Sequence, residues 1–200
     1  MWMEFVEGQS LYAILGTSDA PTPYPQREVL GWLRDLAEAL AHMHAADPPI
    51  GHGDLKLDNI LIHPDEGAKL IDFGLSKPLE AKFVDTNGNG AYPYWAPEIV
   101  GKGETDPGKR CIASDIYAAG VIAYRILTGR FPRSTWSECL QQVPFPRARD
   151  LNSSIPPDLD AIVSKCLEKK PEKRYQTGCE LLAAIETLIE QTKSSADVVQ

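Results

Sequence analysis

Apolar residues recur at helical spacing in four stretches of the chain. Residues 26–46 are predicted to form a long amphipathic helix that ends at a pair of prolines. Two shorter amphipathic helices are predicted over residues 159–167 and 181–189. Residues 112–127 differ from these because they are apolar on nearly every face, with Arg125 as the strong exception. This pattern is typical of a helix buried inside a protein.

Short β-like runs are confined to the first half of the chain. The runs NILI and AKLIDF are separated by HPDEGA, whose Pro, Asp and Gly predict a turn, so we expect one hairpin at about residues 60–72. The stretch QSLYAIL, beginning at Gln9, predicts a short helix. The predicted fold is therefore mainly α with a small β-hairpin, as one domain over residues 1–190 followed by a flexible tail over 191–200.

The composition agrees with an ordinary globular domain. The chain has 200 residues, of which 43% are hydrophobic and 24% charged, so it can bury a sizeable core. That core is expected to include Ile116, Val121, Ile122 and Leu127. The net charge of -8 argues against sequence-independent binding to nucleic acid or to anionic lipid, so neither is expected as a partner.

The sequence predicts a cytoplasmic location. No segment reaches the roughly 18 consecutive apolar residues that a membrane span requires. Glu4 and Glu7 stand where a signal peptide would be basic, so no export signal is expected. His42 and His44 lie two residues apart in a predicted helix and point to different faces, so they are not expected to hold a metal together.

The stretch GHGDLKLDNILI, from Gly51 to Ile62, carries the candidate chemistry. Asp54, Lys56 and Asn59 are close together in it, and Asp72 follows eighteen residues after Asp54. Phosphoryl transfer needs such a set, because a carboxylate orients the attacking hydroxyl, a cation steadies the phosphoryl group and oxygen ligands hold Mg²⁺. In the alternative interpretation, the Asp and Asn side chains bond only their own backbone. This motif alone leaves both interpretations open.

Four motifs in a fixed order carry a family resemblance. HGDLKLDN is followed by DFG from Asp72, by APE at residues 96–98 and by SDIYAAG at residues 114–120. This order resembles the C-terminal lobe of eukaryotic-type protein kinases, and the similarity extends from about Met3 to Glu190. The resemblance implies a protein-kinase-like C-lobe fold that uses ATP and Mg²⁺. It also implies transfer of the γ-phosphoryl group to a serine or threonine hydroxyl of a protein substrate.

The resemblance also assigns roles to individual residues. Asp54 matches the catalytic base and Lys56 the lysine that steadies the γ-phosphate. The metal ligands by this resemblance are Asn59 and Asp72. Residues 3–8 resemble the hinge between lobes, with Met3 at the gatekeeper position. The implied nucleotide-binding residues are Glu4, Val6, Ser10, Lys56, Asn59, Leu61 and Asp72.

Other matches imply structural roles. Asp115 matches a helix aspartate that accepts backbone N–H groups of the catalytic loop. Glu98 and Arg174 match a buried ion pair. His52 and Phe73 match two residues that stack inside the lobe.

Three departures from the family pattern bear on activity. No glycine-rich loop or strand lysine precedes the hinge residues, so the small lobe is expected to be absent and to be supplied, if at all, by another segment or a regulatory chain. Gly53 replaces a common arginine that receives an activation-loop phosphate, which makes Thr86 a poor candidate for an arginine-clamped switch. Ala91 replaces a common threonine and weakens the assignment to serine or threonine substrates.

Two alternative functions are compatible with parts of the sequence. A lobe without its phosphate-covering half could serve as a pseudokinase-like binding module. HGD also opens the catalytic loop of aminoglycoside-type kinases, so a small-molecule phosphotransferase is the other alternative. Lys56, Phe73 and Glu98 favour a protein kinase over that last class, because its members usually lack the lysine and both later motifs.

Overall fold

The computed structural model describes residues 6–16, 24–72, 92–100 and 107–197. Met3, Glu4, Phe73, Thr86 and Ala91 lie outside these described residues. Within the described ranges the chain forms a helical domain with one small sheet. The α-helices of the domain are α1 Leu11–Leu15, α2 Gln26–His44, α3 Pro97–Val100, α4 Pro107–Thr128, α5 Trp136–Gln141, α6 Ala148–Leu151, α7 Pro157–Cys166 and α8 Gly178–Asp197. The strands are β1 Gln9–Ser10, β2 Ile60–His63 and β3 Gly67–Leu70.

Helix α2 confirms the longest predicted amphipathic helix and ends at His44, two residues before the expected end. Its apolar face is buried from Val29 to Met43 and packs mainly against α8, with further contacts to β3 and α4. The polar face remains toward solvent, as a one-sided apolar pattern requires. The predicted apolar positions of α7 and α8 are all buried or half-buried.

Helix α4 runs through the centre of the domain, as predicted. Every residue from Asp115 to Gly129 is buried, including Arg125 at 5% exposure. The four residues expected in the core are confirmed there: Ile116, Val121, Ile122 and Leu127. The helix ends where Gly129, with φ +76, donates its N–H to the carbonyl of Arg125. The candidate site lies against this buried helix.

Leu127→Ala is expected to destabilise the fold by roughly 2–5 kcal/mol, because it leaves a cavity in a close-packed core. Leu127 is 7% exposed, whereas Leu140 is 55% exposed and serves as a matched control. Denaturant unfolding followed by circular dichroism measures both free energies. Equal small losses for Leu127→Ala and Leu140→Ala would contradict the buried position of α4.

The predicted hairpin is confirmed as β2 and β3, which pair antiparallel with Ile60 opposite Leu70. A third strand was not predicted, because β1 pairs with β2 and the sheet order is β1-β2-β3. The helix expected from Gln9 therefore begins two residues later, at Leu11. Ser10 marks this boundary, since its hydroxyl accepts the N–H of Ala13 at 3.1 Å as an N-cap.

The C-terminal helix α8 extends to Asp197 and so includes most of residues 191–200, the segment expected to form the tail. Among the helices that the structure describes, none has the length and apolar character needed to cross a lipid bilayer.

Candidate active site

The loop between α2 and β2 is held by the buried carboxylate of Asp115 on α4. Oδ2 of Asp115 accepts the N–H of His52 at 2.7 Å, and Oδ1 accepts the N–H of Gly53 at 2.9 Å. The predicted role of Asp115 is confirmed by these two bonds. Gly53 has φ +78, a region in which glycine is unstrained. The two bonds fix the backbone immediately before Asp54 to the central helix.

The imidazole of His52 joins this loop to the end of β3. Its Nδ1 accepts the N–H of Asp54 at 3.3 Å, so the ring proton is on Nε2, which donates to the carbonyl of Ile71 at 3.1 Å. His52 is fully buried. From the other side, the N–H of Ile71 donates to the carbonyl of Asn59 at 2.9 Å. Asp72, next to Ile71, is thereby brought to the loop that carries Asp54.

Two of the predicted residues, Lys56 and Asn59, contact the carboxylate of Asp54. Lys56 Nζ lies 2.9 Å from Asp54 Oδ2, and both side chains keep partial exposure, 28% and 20%. Asn59 is buried, and its Nδ2 donates to the backbone carbonyl of Asp54 at 2.8 Å and to Oδ2 at 3.3 Å. Because the amide nitrogen is used in this way, the side-chain oxygen of Asn59 is the atom left for a ligand.

Asp72 has an exposed side chain and a backbone φ of +63. This left-handed conformation is uncommon for a residue other than glycine. The backbone of the preceding residue, Ile71, is held by its two hydrogen bonds with His52 and Asn59. Within the described part of the chain, no group of three or more His, Cys, Asp or Glu side chains could hold a metal. The predicted pair of Asn59 and Asp72 is a smaller oxygen set, of the kind that Mg²⁺ uses while keeping water and phosphate ligands.

Three of the predicted nucleotide-binding residues, Val6, Ser10 and Leu61, lie on the small sheet or just before it. Ser10 in β1 is directly opposite Leu61 in β2, so both side chains lie on one face of the sheet. Leu61 is half-buried, whereas its neighbour Ile60 points to the other face and is 1% exposed. Val6 is half-buried in the segment before β1. Glu4 lies outside the described residues.

Tyr94 contacts the loop between α2 and β2, and this role was not predicted from the sequence. Burial raises the pKa of Tyr94 well above its usual range, and a backbone hydrogen bond with Leu57 partly offsets this effect. Its ring meets that of Phe131 edge to face, with centroids 5.3 Å apart. Tyr94 therefore connects the loop to the segment that leads into α3. In the sequence, the only sign of this role is that Tyr94 is aromatic and lies two positions before Ala96.

Glu98 and Arg174 form the predicted buried ion pair. Two parallel bonds of 2.7 and 2.8 Å join the guanidinium to the carboxylate, and the side chain of Arg174 is 0% exposed. The other three N–H groups of Arg174 donate to three backbone carbonyls, those of Glu168, Lys169 and Ala113. All five donors of the guanidinium are thus used. The pair ties α3 to α4 and to the segment before α8.

Comparison with known proteins shows to which family the chain belongs. The family model described as protein kinase domain matches residues 1–185. Serine/threonine-protein kinase PknL of Mycobacterium tuberculosis H37Rv is 33% identical over 196 residues, which are 94% of this chain and 47% of that protein.

Two further relatives are similar. Serine/threonine-protein kinase pkn2 of Myxococcus xanthus is 35% identical over 193 residues, covering 92% of this chain and 22% of that protein. Serine/threonine-protein kinase PrkC of Bacillus subtilis strain 168 is 32% identical over 192 residues, covering 92% of this chain and 28% of that protein. The chain spans less than half the length of each of these relatives. By the match over 185 of its 200 residues and by these relatives, the chain belongs to the protein kinase family.

Proposed function

We propose that these residues form the metal- and substrate-binding half of a protein serine/threonine kinase site. The observation that carries the proposal is the cluster of Asp54, Lys56 and Asn59 on a loop bonded to α4, with Asp72 joined to the same loop through Ile71. A loop whose Asp and Asn served only local backbone turns would not need a lysine ammonium 2.9 Å from the carboxylate. The relatives named above, all serine/threonine-protein kinases, support the same class.

Asp54 acts in this proposal as the group that orients the attacking hydroxyl of a protein substrate and accepts its proton. The Asp54 carboxylate is partly exposed, so a substrate hydroxyl can reach it. Its carbonyl and carboxylate are held by the amide of Asn59, which limits the rotation of the side chain. A base held in this way loses little entropy when the substrate arrives.

Lys56 supplies a positive charge beside the carboxylate. In the structure it pairs with Asp54, and its partial exposure leaves the ammonium able to reach a phosphate oxygen. Charge of this kind stabilises the oxygens of a phosphoryl group during transfer. Lys56 therefore has two partners in this proposal: Asp54 before substrate binds, and the γ-phosphate afterwards.

Asn59 and Asp72 are proposed to hold Mg²⁺ through one side-chain oxygen of the amide and the exposed carboxylate. The donor set fits, because both groups offer the hard oxygen ligands that Mg²⁺ prefers. When bound, Mg²⁺ and ATP supply charge neutralisation and the transferable γ-phosphoryl group. Ser10 and Leu61 share one face of the sheet and are proposed to contact the nucleotide, together with Val6 and Glu4.

The motif G-x-G-x-x-G, typical of the loop that covers ATP phosphates in protein kinases, does not occur within these 200 residues. In protein kinases a glycine-rich loop and a strand lysine hold the ATP phosphates. We propose that a further segment, in the same polypeptide or in another chain such as a regulatory partner, covers the phosphates. Correct positioning can account for roughly 7–11 kcal/mol of a reaction barrier, so the 200 residues alone are expected to transfer little phosphate.

A radiometric transfer assay on a generic protein substrate tests this division of the site. The 200-residue chain is expected to show little or no turnover, and a form with a kinase small lobe joined before Met3 is expected to show transfer that Asp72→Ala abolishes. Transfer by the 200-residue chain itself, lost on Asp72→Ala, would contradict the need for a second half. No transfer by the extended form, with ATP binding retained, would instead support a binding module.

A further inference from the structure

His44, the last residue of α2, is buried between two other elements. Its side chain is 0% exposed, whereas His42 on the opposite side of the helix is exposed. Nε2 of His44 lies 3.3 Å from Oδ2 of Asp115 on α4. Nδ1 lies 2.9 Å from the backbone nitrogen of Gly178, the first residue of α8. One ring therefore joins the end of one helix, the middle of a second and the start of a third.

The two partners determine where the ring proton lies. The backbone N–H of Gly178 can only donate, so Nδ1 of His44 must accept and carries no proton. Nε2 therefore carries the proton and donates it to the carboxylate of Asp115. The same carboxylate oxygen accepts the N–H of His52 at 2.7 Å. His44 thus bonds directly to the group that holds the catalytic loop.

The start of α8 is shaped so that this bond can form. A Cβ on Gly178 would collide with the backbone nitrogen of Ala41 on α2, so only glycine allows this approach. The first N–H groups of a helix have no partner within the helix and need one elsewhere. The ring of His44 provides that partner for Gly178, and both atoms are buried.

We propose that His44 is a positioning residue for the catalytic loop, which it couples to the N-terminus of α8. Asp115 uses Oδ1 for Gly53 and Oδ2 for His52, so both bonds depend on the rotation of one carboxylate. The proton on His44 Nε2 adds a third hydrogen bond to that carboxylate, at Oδ2, and so helps to fix its rotation. Without it the carboxylate can turn, the backbone of His52 and Gly53 loosens, and Asp54 loses its position.

Two substitutions separate the two bonds of the ring. In His44→Asn the amide oxygen stands near the place of Nδ1 and can accept from Gly178, but nothing reaches Asp115. In His44→Gln the longer amide can donate to Asp115, but the acceptor for Gly178 is lost. His42→Asn is the matched control, since His42 lies on the same helix and is exposed.

Amide hydrogen exchange of the 200-residue chain, measured by NMR, reads out both bonds without any need for catalysis. In His44→Asn, we expect exchange at His52 and Gly53 to quicken by roughly tenfold while Gly178 stays protected. In His44→Gln, we expect the reverse. His42→Asn is expected to change none of these rates. Unchanged protection of His52 and Gly53 in His44→Asn would overturn the proposal and leave His44 as a packing residue.

The parent protein gives a second readout that needs no variant to fold. The ¹⁵N shifts of the His44 ring are expected to show a neutral imidazole protonated at Nε2. A ring protonated at Nδ1 would overturn the proposal, because it could not donate to Asp115.

A kinetic measurement tests the part that rests on the proposed function. In a form that transfers phosphate, His44→Asn is expected to lower kcat per folded molecule several-fold, with little change in KM for ATP. An unchanged kcat beside faster exchange at His52 would overturn the positioning role. If the parent form transfers no phosphate while the exchange results hold, the proposed function fails and the coupling of α8 to the loop stands.

Discussion

Asp54→Asn is expected to lower kcat for phosphoryl transfer by roughly 10²–10⁴-fold, the usual contribution of a positioned general base. The substitution keeps the shape of the side chain and removes its negative charge and its basicity. The backbone carbonyl at position 54 still accepts from Asn59 at 2.8 Å, so the loop is expected to keep its course. Lys56 loses the carboxylate 2.9 Å from its ammonium and is free to contact phosphate. KM for ATP is therefore expected to change little.

Steady-state kinetics on a form that includes the phosphate-covering half measures this effect. Asp65→Asn is the matched control, because Asp65 lies exposed in the turn between β2 and β3. Its kcat is expected to equal that of the parent. Equal activities of the two variants would show that the Asp54 carboxylate has no part in the reaction and would remove the main support for the proposed function.

Arg174→Ala is expected to destabilise the domain by roughly 3–5 kcal/mol, because it leaves the buried carboxylate of Glu98 without a counter-charge. The side chains of Arg174 and Glu98 are 0% and 9% exposed. Three backbone carbonyls also lose their donors. Arg174→Lys is expected to recover only part of the loss, because an ammonium cannot reproduce the two-pronged bond to the carboxylate.

Arg34→Ala provides the comparison for this result. Arg34 is 40% exposed and pairs with Asp35 and Glu38 on the surface of α2, where such pairs contribute about 0–1 kcal/mol. Urea unfolding of the parent, Arg174→Ala, Arg174→Lys and Arg34→Ala gives the four free energies. A loss for Arg174→Ala no larger than that for Arg34→Ala would contradict a structural role for the pair.

Much of the fold follows from local patterns along the chain. The apolar residues of α2 lie three and four positions apart, which determines both the helix and its buried face. The all-round apolar character of residues 112–127 was sufficient to predict the central position of α4. The β1 strand was missed because two residues are too short to show an alternating pattern, and its pairing with β2 joins residues about fifty positions apart.

For the candidate site too, the sequence alone predicted some features and not others. Asp54, Lys56 and Asn59 lie within six residues, so the sequence alone predicted their association and their chemistry. It also predicted, through the order of its motifs, that Asp72, Asp115 and the pair of Glu98 and Arg174 belong to the same site or its support. The described structure brings Asp54, Lys56 and Asn59 together and shows the bonds of Asp115 and the ion pair of Glu98 and Arg174. The catalytic, metal-binding and nucleotide-binding roles are still predictions.

Only the tertiary structure decided which groups hold the loop in place. His44 reaches Asp115 across 71 residues and Gly178 across 134, and Tyr94 meets Leu57 from a separate segment. No local pattern encodes these contacts, because a buried polar atom must find a partner wherever packing brings one within hydrogen-bond distance. The sequence thus determined the reactive groups and the helices that carry them, whereas the packing of α2, α4 and α8 determined the hydrogen bonds that orient those groups.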